Sequence, residues 1–353
     1  LNSSDFLEAL TSLTLQVTLL IGVAAWSTRK NILKSYSDTL WAIMHICILA
    51  LTCIGLLTPH LRLFTWADLQ PLPNHSFAEV VSSSAGEIAA WIWASGSILV
   101  AVACIGGIVR ATQLIRNAKM DRPFSQSLGH LLSEFAAESI EIRFLPDRFG
   151  PFCWQIHRPI IVLPEMVRTF PAVEQAAIMR HELAHLRLQH PLHLFFQRFV
   201  EAIYWFHPLV WWASKQAAAA REFRCDREAV SSDGDVVNYL QSLLRLIEAH
   251  VRAPGRLPAG LGFLGSSSLL AERANLLTDH AETATRSTWR LTALCLFAVA
   301  TWALVWLPVN PTASRRARWS PWPSWSARAI ESIGLAVRDY EVDGHRLKAD
   351  HLR

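Results

Sequence analysis

Four stretches of this chain, residues 7–26, 39–57, 88–109 and 291–307, stay apolar for about the length a helix needs to cross a bilayer, roughly 20 residues. Backbone groups in lipid must pair within their own segment, so such runs fold as spanning helices. Composition agrees: 52% of residues are hydrophobic and 18% charged, against about a quarter charged in a soluble enzyme. The net charge of +4 is spread out without a basic stripe, which argues against nucleic-acid binding. Six Cys occur singly with no CxxC pair, so neither a disulfide framework nor a Cys zinc site is expected. The first run lacks a basic flank before it and a clean small-residue cleavage site after it, unlike a signal peptide. Glu8 reads as interfacial and His45 as packed between helices.

The loops set the orientation. Arg29, Lys30 and Lys34 fill the first loop, and Arg110, Arg116, Lys119 and Arg122 follow the third run. The loop 58–86 holds one Arg, no Lys and two acids. By the positive-inside rule the first loop and the region after residue 109 are cytoplasmic. The N-terminus and the tail after residue 307 then lie outside, although Arg315, Arg316 and Arg318 pull mildly the other way.

Between the third and fourth runs lie about 180 residues, enough for one globular domain. Residues 126–137 have helical spacing, 139–145 alternate like a strand, and "PFCWQIHRPIIVLP" (151–164) reads as an apolar hairpin or edge strand. Pro171 and Glu174 mark a helix start, and Pro191 is expected to end that helix. Within it "IMRHELAHLRLQHP" (178–191) contains His-Glu-x-x-His. His181 and His185 project from one helical face, where two neutral imidazoles can share a metal. Glu182 between them can take a proton from a water whose pKa zinc lowers toward about 7. A satisfied helical His pair is the other reading of the same residues.

A zinc peptidase needs a third protein ligand, with the fourth position left for water. Downstream, "AAAAREFRCDREAV" (217–230) is a strong helix former with Glu222 and Asp226 on one face. Glu222 can complete a His-His-Glu set, and Asp226 can accept the outward N–H of a ligand His. Arg221, Arg224 and Arg227 leave open a solvated helix of Glu–Arg pairs. The apolar stretch 192–212 between the two motifs is a topological test. A single crossing would put His185 and Glu222 on opposite sides, whereas Arg198, Glu201 and Pro208 favour a helix lying in the interface.

Four motifs in order, "RPIIVLP" (158–164), "IMRHELAHLR" (178–187), "YWFHPLVWWASK" (204–215) and "REFRCDREAV" (221–230), resemble those of the BlaR/MecR-type membrane zinc metallopeptidases, the beta-lactam-sensing antirepressor family. That resemblance implies Zn2+ as cofactor, with His181, His185 and Glu222 as ligands, Glu182 as general base and Asp226 as orienter of a ligand His. This chain departs from the family pattern at His190, where Asp is usual, and at His207, where Asn is usual. Both read as core or interfacial rather than catalytic. "SLLAERANLL" (268–277) resembles an Arg-bearing helix of related membrane zinc peptidases, making Arg273 the candidate oxyanion group, with Tyr204 behind it. Strand 159–163 is expected to offer its edge to an extended substrate.

The tail after residue 307 contains no S-x-x-K motif, so covalent beta-lactam sensing by this chain is not expected. "ARWSPWPSWSA" (317–327) suits an interfacial belt. The expected fold is a polytopic α-helical membrane protein of four spans with a cytoplasmic α+β, gluzincin-like zinc metallopeptidase domain. Its expected parts are three spans in 1–109, the peptidase domain with an interfacial helix in 110–288, a fourth span in 289–308 and an outer tail in 309–353. The expected function is a bacterial inner-membrane endopeptidase that signals by cleaving a cytoplasmic protein, in the family a DNA-binding repressor, with self-association open. A quality-control membrane protease and a non-catalytic receptor with a structural zinc site are the alternatives.

Overall fold

The structure is a computed structural model that describes residues 3–29, 37–57, 75–121, 123–124, 140–147, 149–155, 158–230, 233–252, 273, 277, 288–305 and 334. The expected helix at 126–137 and the tail motifs lie outside these residues. The first three apolar runs are helices: α1 (Ser3–Arg29), α2 (Ser37–Leu57) and α3 (His75–Asn117). Each contains a stretch long and apolar enough to cross a membrane, Phe6–Thr28, Ser37–Leu56 and Ser84–Asn117. On α1 the side chains of Leu13, Val17, Leu20 and Ala24 recur at helical spacing and are buried, while Leu15, Leu19 and Trp26 face outward. On α2 the buried stripe is Leu40, Met44, Ile48 and Leu51. His45 sits among these residues, its Nδ1–H donating to the Trp41 carbonyl, and Glu8 is fully enclosed by protein. The span of α3 keeps Ile88, Trp91, Leu99 and Val102 exposed. An uncovered apolar face of that extent suits lipid rather than water.

A four-stranded sheet follows, built from β1 (Lys119–Met120), β2 (Glu141–Leu145), β3 (Phe152–Trp154) and β4 (Ile160–Pro164) in the order β1-β2-β4-β3. β2 and β4 run parallel with Ile142 opposite Ile161, and β3 pairs antiparallel with β4, Cys153 opposite Ile161. The expected strand and hairpin are therefore present. β4 is central, however, and has no free edge. The strand expected to accept substrate is wrong by one, and β3 is the edge beside the helix that follows. β4 is buried throughout because both sheet faces are covered, which suits its unbroken apolar run. Ile161 and Leu163 pack under Ile178, Leu183 and Leu186, whereas Ile160 and Val162 pack on Ala111 and Ile115 at the end of α3.

Helix α4 (Ala172–Arg187) carries the HExxH motif and begins just after Pro171. Pro191 does not end it. The helix closes at Leu188, whose N–H donates to the Ala184 carbonyl, and Gln189 turns the chain in the left-handed region at φ 57°, at a cost of about 1–2 kcal/mol for a non-glycine. Pro191 instead lies in the first turn of α5 (His190–Ile203), where its missing N–H is harmless.

The stretch 192–212 is not one flat helix. α5 stops at Tyr204, and after a turn at 204–207 the chain returns as α6 (Pro208–Ala229). α5 runs alongside α2: His190 Nε2 lies 3.7 Å from Asp38 Oδ2 at one end, and Tyr204 OH donates to Thr52 Oγ1 at 2.7 Å at the other. The same number of residues separates these contacts on both helices, about 21 Å of rise. The hairpin tip is clasped from α3 and α1. Trp93 Nε1–H donates to the Ile203 carbonyl at 2.8 Å, Trp205 Nε1–H to the Trp93 carbonyl at 3.2 Å, and His207 Nε2 lies 3.0 Å from Thr18 Oγ1. The polar groups carried into the bundle satisfy one another. Gln197 donates to Glu201 at 2.9 Å and accepts from Arg221 at 3.0 Å, and Arg198 pairs with Glu201. Because the hairpin goes in and comes back, α4 and α6 meet at one end of the bundle.

Helix α7 (Asp233–Arg252) lays Tyr239, Leu243 and Leu246 against α4. Helix α8 (Thr288–Val305) packs Phe297 and Leu304 on the bundle. It coincides with the fourth apolar run, but among the described residues its apolar stretch is the shorter Cys295–Leu304.

Gly96 tests the clasp, because a Cβ there would meet the Trp205 ring at 2.0 Å, whereas one at Gly22 or Gly106 meets nothing within 4 Å. Gly22→Ala and Gly106→Ala should hold or gain up to about 1 kcal/mol from helix propensity. Gly96→Ala should lose about 1–3 kcal/mol by overpacking. Thermal unfolding of the detergent-solubilised chain checks both.

Candidate metal centre

Paired positions one helical turn apart put His181 and His185 on the inner face of α4, and α6 brings Glu222 and Asp226 against them. His181 Nε2 is 3.1 Å from His185 Nε2. Glu222 Oε2 stands 3.6 Å from His181 Nε2, and Oε1 3.7 Å from His185 Nε2. Ligand atoms about 2.1 Å from a tetrahedral ion lie roughly 3.4 Å from one another. Each imidazole nitrogen thus has a Glu222 oxygen close to that separation, a different oxygen for each. Two carboxylate oxygens, Glu182 Oε1 and Glu222 Oε2, are buried without a hydrogen bond among the described residues. Unpaired buried polar atoms are costly, so this cluster fits a divalent cation.

Behind the triangle, His181 Nδ1 lies 2.8 Å from Tyr239 OH and 3.2 Å from Asp226 Oδ1. Tyr239 OH donates to Asp226 Oδ1 at 2.5 Å. These acceptors place the His181 hydrogen on Nδ1 and turn the Nε2 lone pair toward Glu222 and His185. Arg273 closes the assembly, donating from Nε to Asp226 Oδ2 at 2.7 Å and from a terminal nitrogen to Oδ1 at 2.5 Å. Its other terminal nitrogen stands 3.4 Å from Glu222 Oε2.

Burial and neighbours set the charges. Burial alone would lower the His181 imidazole, but the neighbouring carboxylates of Asp226 and Glu222 outweigh it and hold it up at about 9; a cation bound at Nε2 would displace that proton. His185 is pushed well below its usual value by burial and then by His181 and His190, so it is neutral, as a ligand must be. Burial raises Asp226, yet its bonds to His181 and Arg273 prevail and hold it down at about 2. Burial pushes the Glu182 carboxyl up to about 7, where a carboxylate can both take and return a proton.

The sequence placed His181, Glu182, His185, Glu222, Asp226 and Arg273 together, and the structure brings all six to one centre. It does not bring Tyr204, whose hydroxyl is spent on Thr52 at the hairpin tip, about 20 Å of helix from Glu222. Tyr239 occupies the site instead. Only the buried i, i+4, i+7 stripe of α7 hinted that it faces inward. Arg273 is present as a partner of Asp226 rather than as a free donor. Cys225 was also missed: no paired spacing announced it, yet its sulfur and nitrogens of His181 and His185 lie within 4.8 Å of one another. Its thiol is pushed well up by burial and the surrounding acids, and its sulfur sits 3.5 Å from His190 Nδ1, behind His185. Glu222 and Cys225 thus both stand beside the two imidazoles. Of the two departures noted in sequence, His207 stays at the hairpin tip, but His190 touches His185, Nδ1 to Nδ1 at 2.9 Å.

Apolar helices of membrane-crossing length, joined to an HExxH helix that meets a downstream acid, mark the class of membrane metallopeptidases. Within it this chain belongs to the BlaR1 peptidase M56 family, whose model it matches over residues 11–273. One curated relative, the regulatory protein BlaR1 of Bacillus licheniformis, is 32% identical over 130 residues, 35% of this chain and 20% of that protein. The match thus spans about a fifth of the relative's length.

If Arg273 chiefly neutralises Asp226, Arg273→Met leaves a buried carboxylate unpaired and should cost about 3–5 kcal/mol of stability. A purely catalytic Arg273 would leave the thermal midpoint unchanged.

Proposed function

We propose that this chain is an integral-membrane, zinc-dependent endopeptidase of signal-transducing type that cleaves a cytoplasmic protein, a DNA-binding repressor in the first instance. The observation that carries the reading is the buried Glu182, whose Oε1 has no hydrogen bond among the described residues and whose carboxyl feels the charges of His181 and Glu222. A structural metal site has no use for such a group, which speaks against a non-catalytic receptor. The name of the BlaR1 relative, a regulatory protein, favours signalling over membrane-protein quality control.

In this reading His181, His185 and Glu222 hold Zn2+, Glu182 is the base, and Asp226 fixes the His181 tautomer. A bound zinc supplies an acidified water and a polarised carbonyl. Glu182 takes the proton of the attacking water and returns it to the leaving amine, a step its raised carboxyl suits. Burial keeps bulk water from competing for that proton. The β3 edge, with Cys153 close enough to feel the charge of Glu182 and Glu222, offers an extended substrate its backbone hydrogen bonds. Arg273 steadies the ligand acid through its contact with Glu222.

The topology that goes with this function has α1, α2, α3 and α8 as four spans and the sheet, α4 and α7 as a cytoplasmic gluzincin-like domain of a bacterial inner-membrane protein. Basic residues of the first loop and beyond α3 support that side. In place of an interfacial helix, α5 and α6 form a re-entrant hairpin among the spans, sealed by Tyr204, Trp205 and His207. The centre then lies at the cytoplasmic surface, within reach of soluble targets.

Glu182→Gln should keep zinc while lowering turnover about 10²–10⁴-fold. Metal content, together with disappearance of a cleavage fragment from the cellular proteome, checks it, and unchanged fragments and signalling would favour the receptor. Tyr204→Phe should lose only the Thr52 bond, about 0.5–1.5 kcal/mol of stability, with turnover within about twofold of the parent.

A further inference from the structure

The two imidazoles at the centre are held differently. His181 has a carboxylate, Asp226, against its outward nitrogen. His185 has an imidazole there, His190, with Nδ1 to Nδ1 at 2.9 Å. Metal-binding His residues nearly always give their outward N–H to a carboxylate, carbonyl or water, and a neutral imidazole has one N–H to give. Because His185 turns Nε2 toward His181 and Glu222, its hydrogen belongs on Nδ1. His190 Nδ1 must then accept, which places the His190 hydrogen on Nε2. That atom is buried without a hydrogen bond among the described residues, and it faces Asp38 Oδ2 at 3.7 Å, just beyond hydrogen-bond length. Asp38 and His190 are 5% and 3% exposed, so bulk water does not satisfy either. The same Asp38 oxygen accepts from the Thr39 hydroxyl at 3.3 Å.

We propose that Asp38 and His190 are positioning residues that act in series on His185, so that a carboxylate on the apolar helix α2 orients one metal ligand. The chain runs from His185 Nδ1–H, donated to His190 Nδ1, to His190 Nε2–H, which faces the Asp38 carboxylate at 3.7 Å. The inference rests on His185 being a metal ligand, as proposed above. Each ligand His then has its own acid, Asp226 from α6 for His181 and Asp38 from α2 for His185. The two differ in consequence, because Asp38 begins a helix that runs the length of the re-entrant hairpin. A shift or rotation of α2 along α5 breaks the contact with His190 and frees His185 to turn. An Asp at position 190 would accept from His185 directly and make Asp38 unnecessary.

The experiment measures Zn2+ affinity of the full chain in nanodiscs by competition with a chromophoric chelator, with the visible spectrum of the Co2+-loaded protein as a second readout. Asp38→Asn and His190→Phe should each weaken Zn2+ about 10–100-fold and shift the Co2+ bands. His190→Asn, whose amide oxygen can still accept from His185 Nδ1–H, should stay within a few-fold of the parent. His190→Asp should bind like the parent, and adding Asp38→Asn to it should change nothing. His185→Ala should lose the metal. Parental affinity in both Asp38→Asn and His190→Phe, with His185→Ala metal-free, overturns the relay and leaves the site standing. Parental affinity in His185→Ala overturns the site itself. A loss from Asp38→Asn of the same size in the His190→Asp background also overturns the relay, since Asp38 would then not act through position 190. Should Asp38→Asn fail to fold, the His190→Asn and His190→Phe pair decides, and equal affinities sink the proposal.

Discussion

Glu222 stands 3.6 and 3.7 Å from the two imidazole nitrogens because the chain between the two motifs makes no net crossing of the apolar bundle. α5 carries it in along α2, the turn at 204–207 is fixed by Thr52, Trp93 and Thr18, and α6 carries it out. A straight helix through the same residues would separate the acid from the imidazoles by the length of the bundle. The hairpin is possible because its polar side chains, Gln197, Arg198, Glu201 and Arg221, satisfy one another inside it. Of the groups that sequence reading takes as marks of an interfacial position, Glu201 is buried here against Gln197 and Arg198.

Around the triangle, charge is arranged in shells with opposed demands. Glu222, the proposed ligand, and Glu182, the proposed base, each leave an oxygen unbonded among the described residues. The atoms behind must be fully bonded, and Asp226 is, by Tyr239 and twice by Arg273. Arg273 balances the buried acid and also reaches Glu222. Removing it therefore disturbs both folding and the ligand set. On the other flank His190 and Asp38 carry the same logic toward α2, at longer range and with less bonding. The two imidazoles are thus supported by two different parts of the molecule.

Much of this was legible in the chain. Unbroken apolar runs announced α1 to α3, and the described part of the fourth run (291–307), residues 291–305, is helical. Alternation gave β2, and paired prolines bounded the β3–β4 hairpin. Fixed helical spacing gave the facing of His181, His185, Glu222 and Asp226, because four residues on a helix bring side chains to one face whatever surrounds them. Misreadings came where tertiary contact decides. Pro191 is a stop signal in isolation but sits equally well in a first helical turn. β4 looked like an edge until β2 paired with its far side. Tyr204 was adjacent to the motifs in sequence, and the hairpin carries it away from them.

By itself the sequence determined the local facts: which segments suit lipid, which residues share a helical face, and which side-chain chemistry is on hand for a divalent ion. These depend on periodicities of a few residues, which no distant neighbour can alter. Only the tertiary structure decided that Tyr239, Cys225, His190 and Asp38 belong to the centre, that Arg273 is bound to Asp226, and that the acid and the imidazoles lie on one side of the bundle. Each of those is a contact between elements far apart in the chain. It is fixed by where a hairpin turns and what a helix packs against, and no spacing along the sequence encodes that.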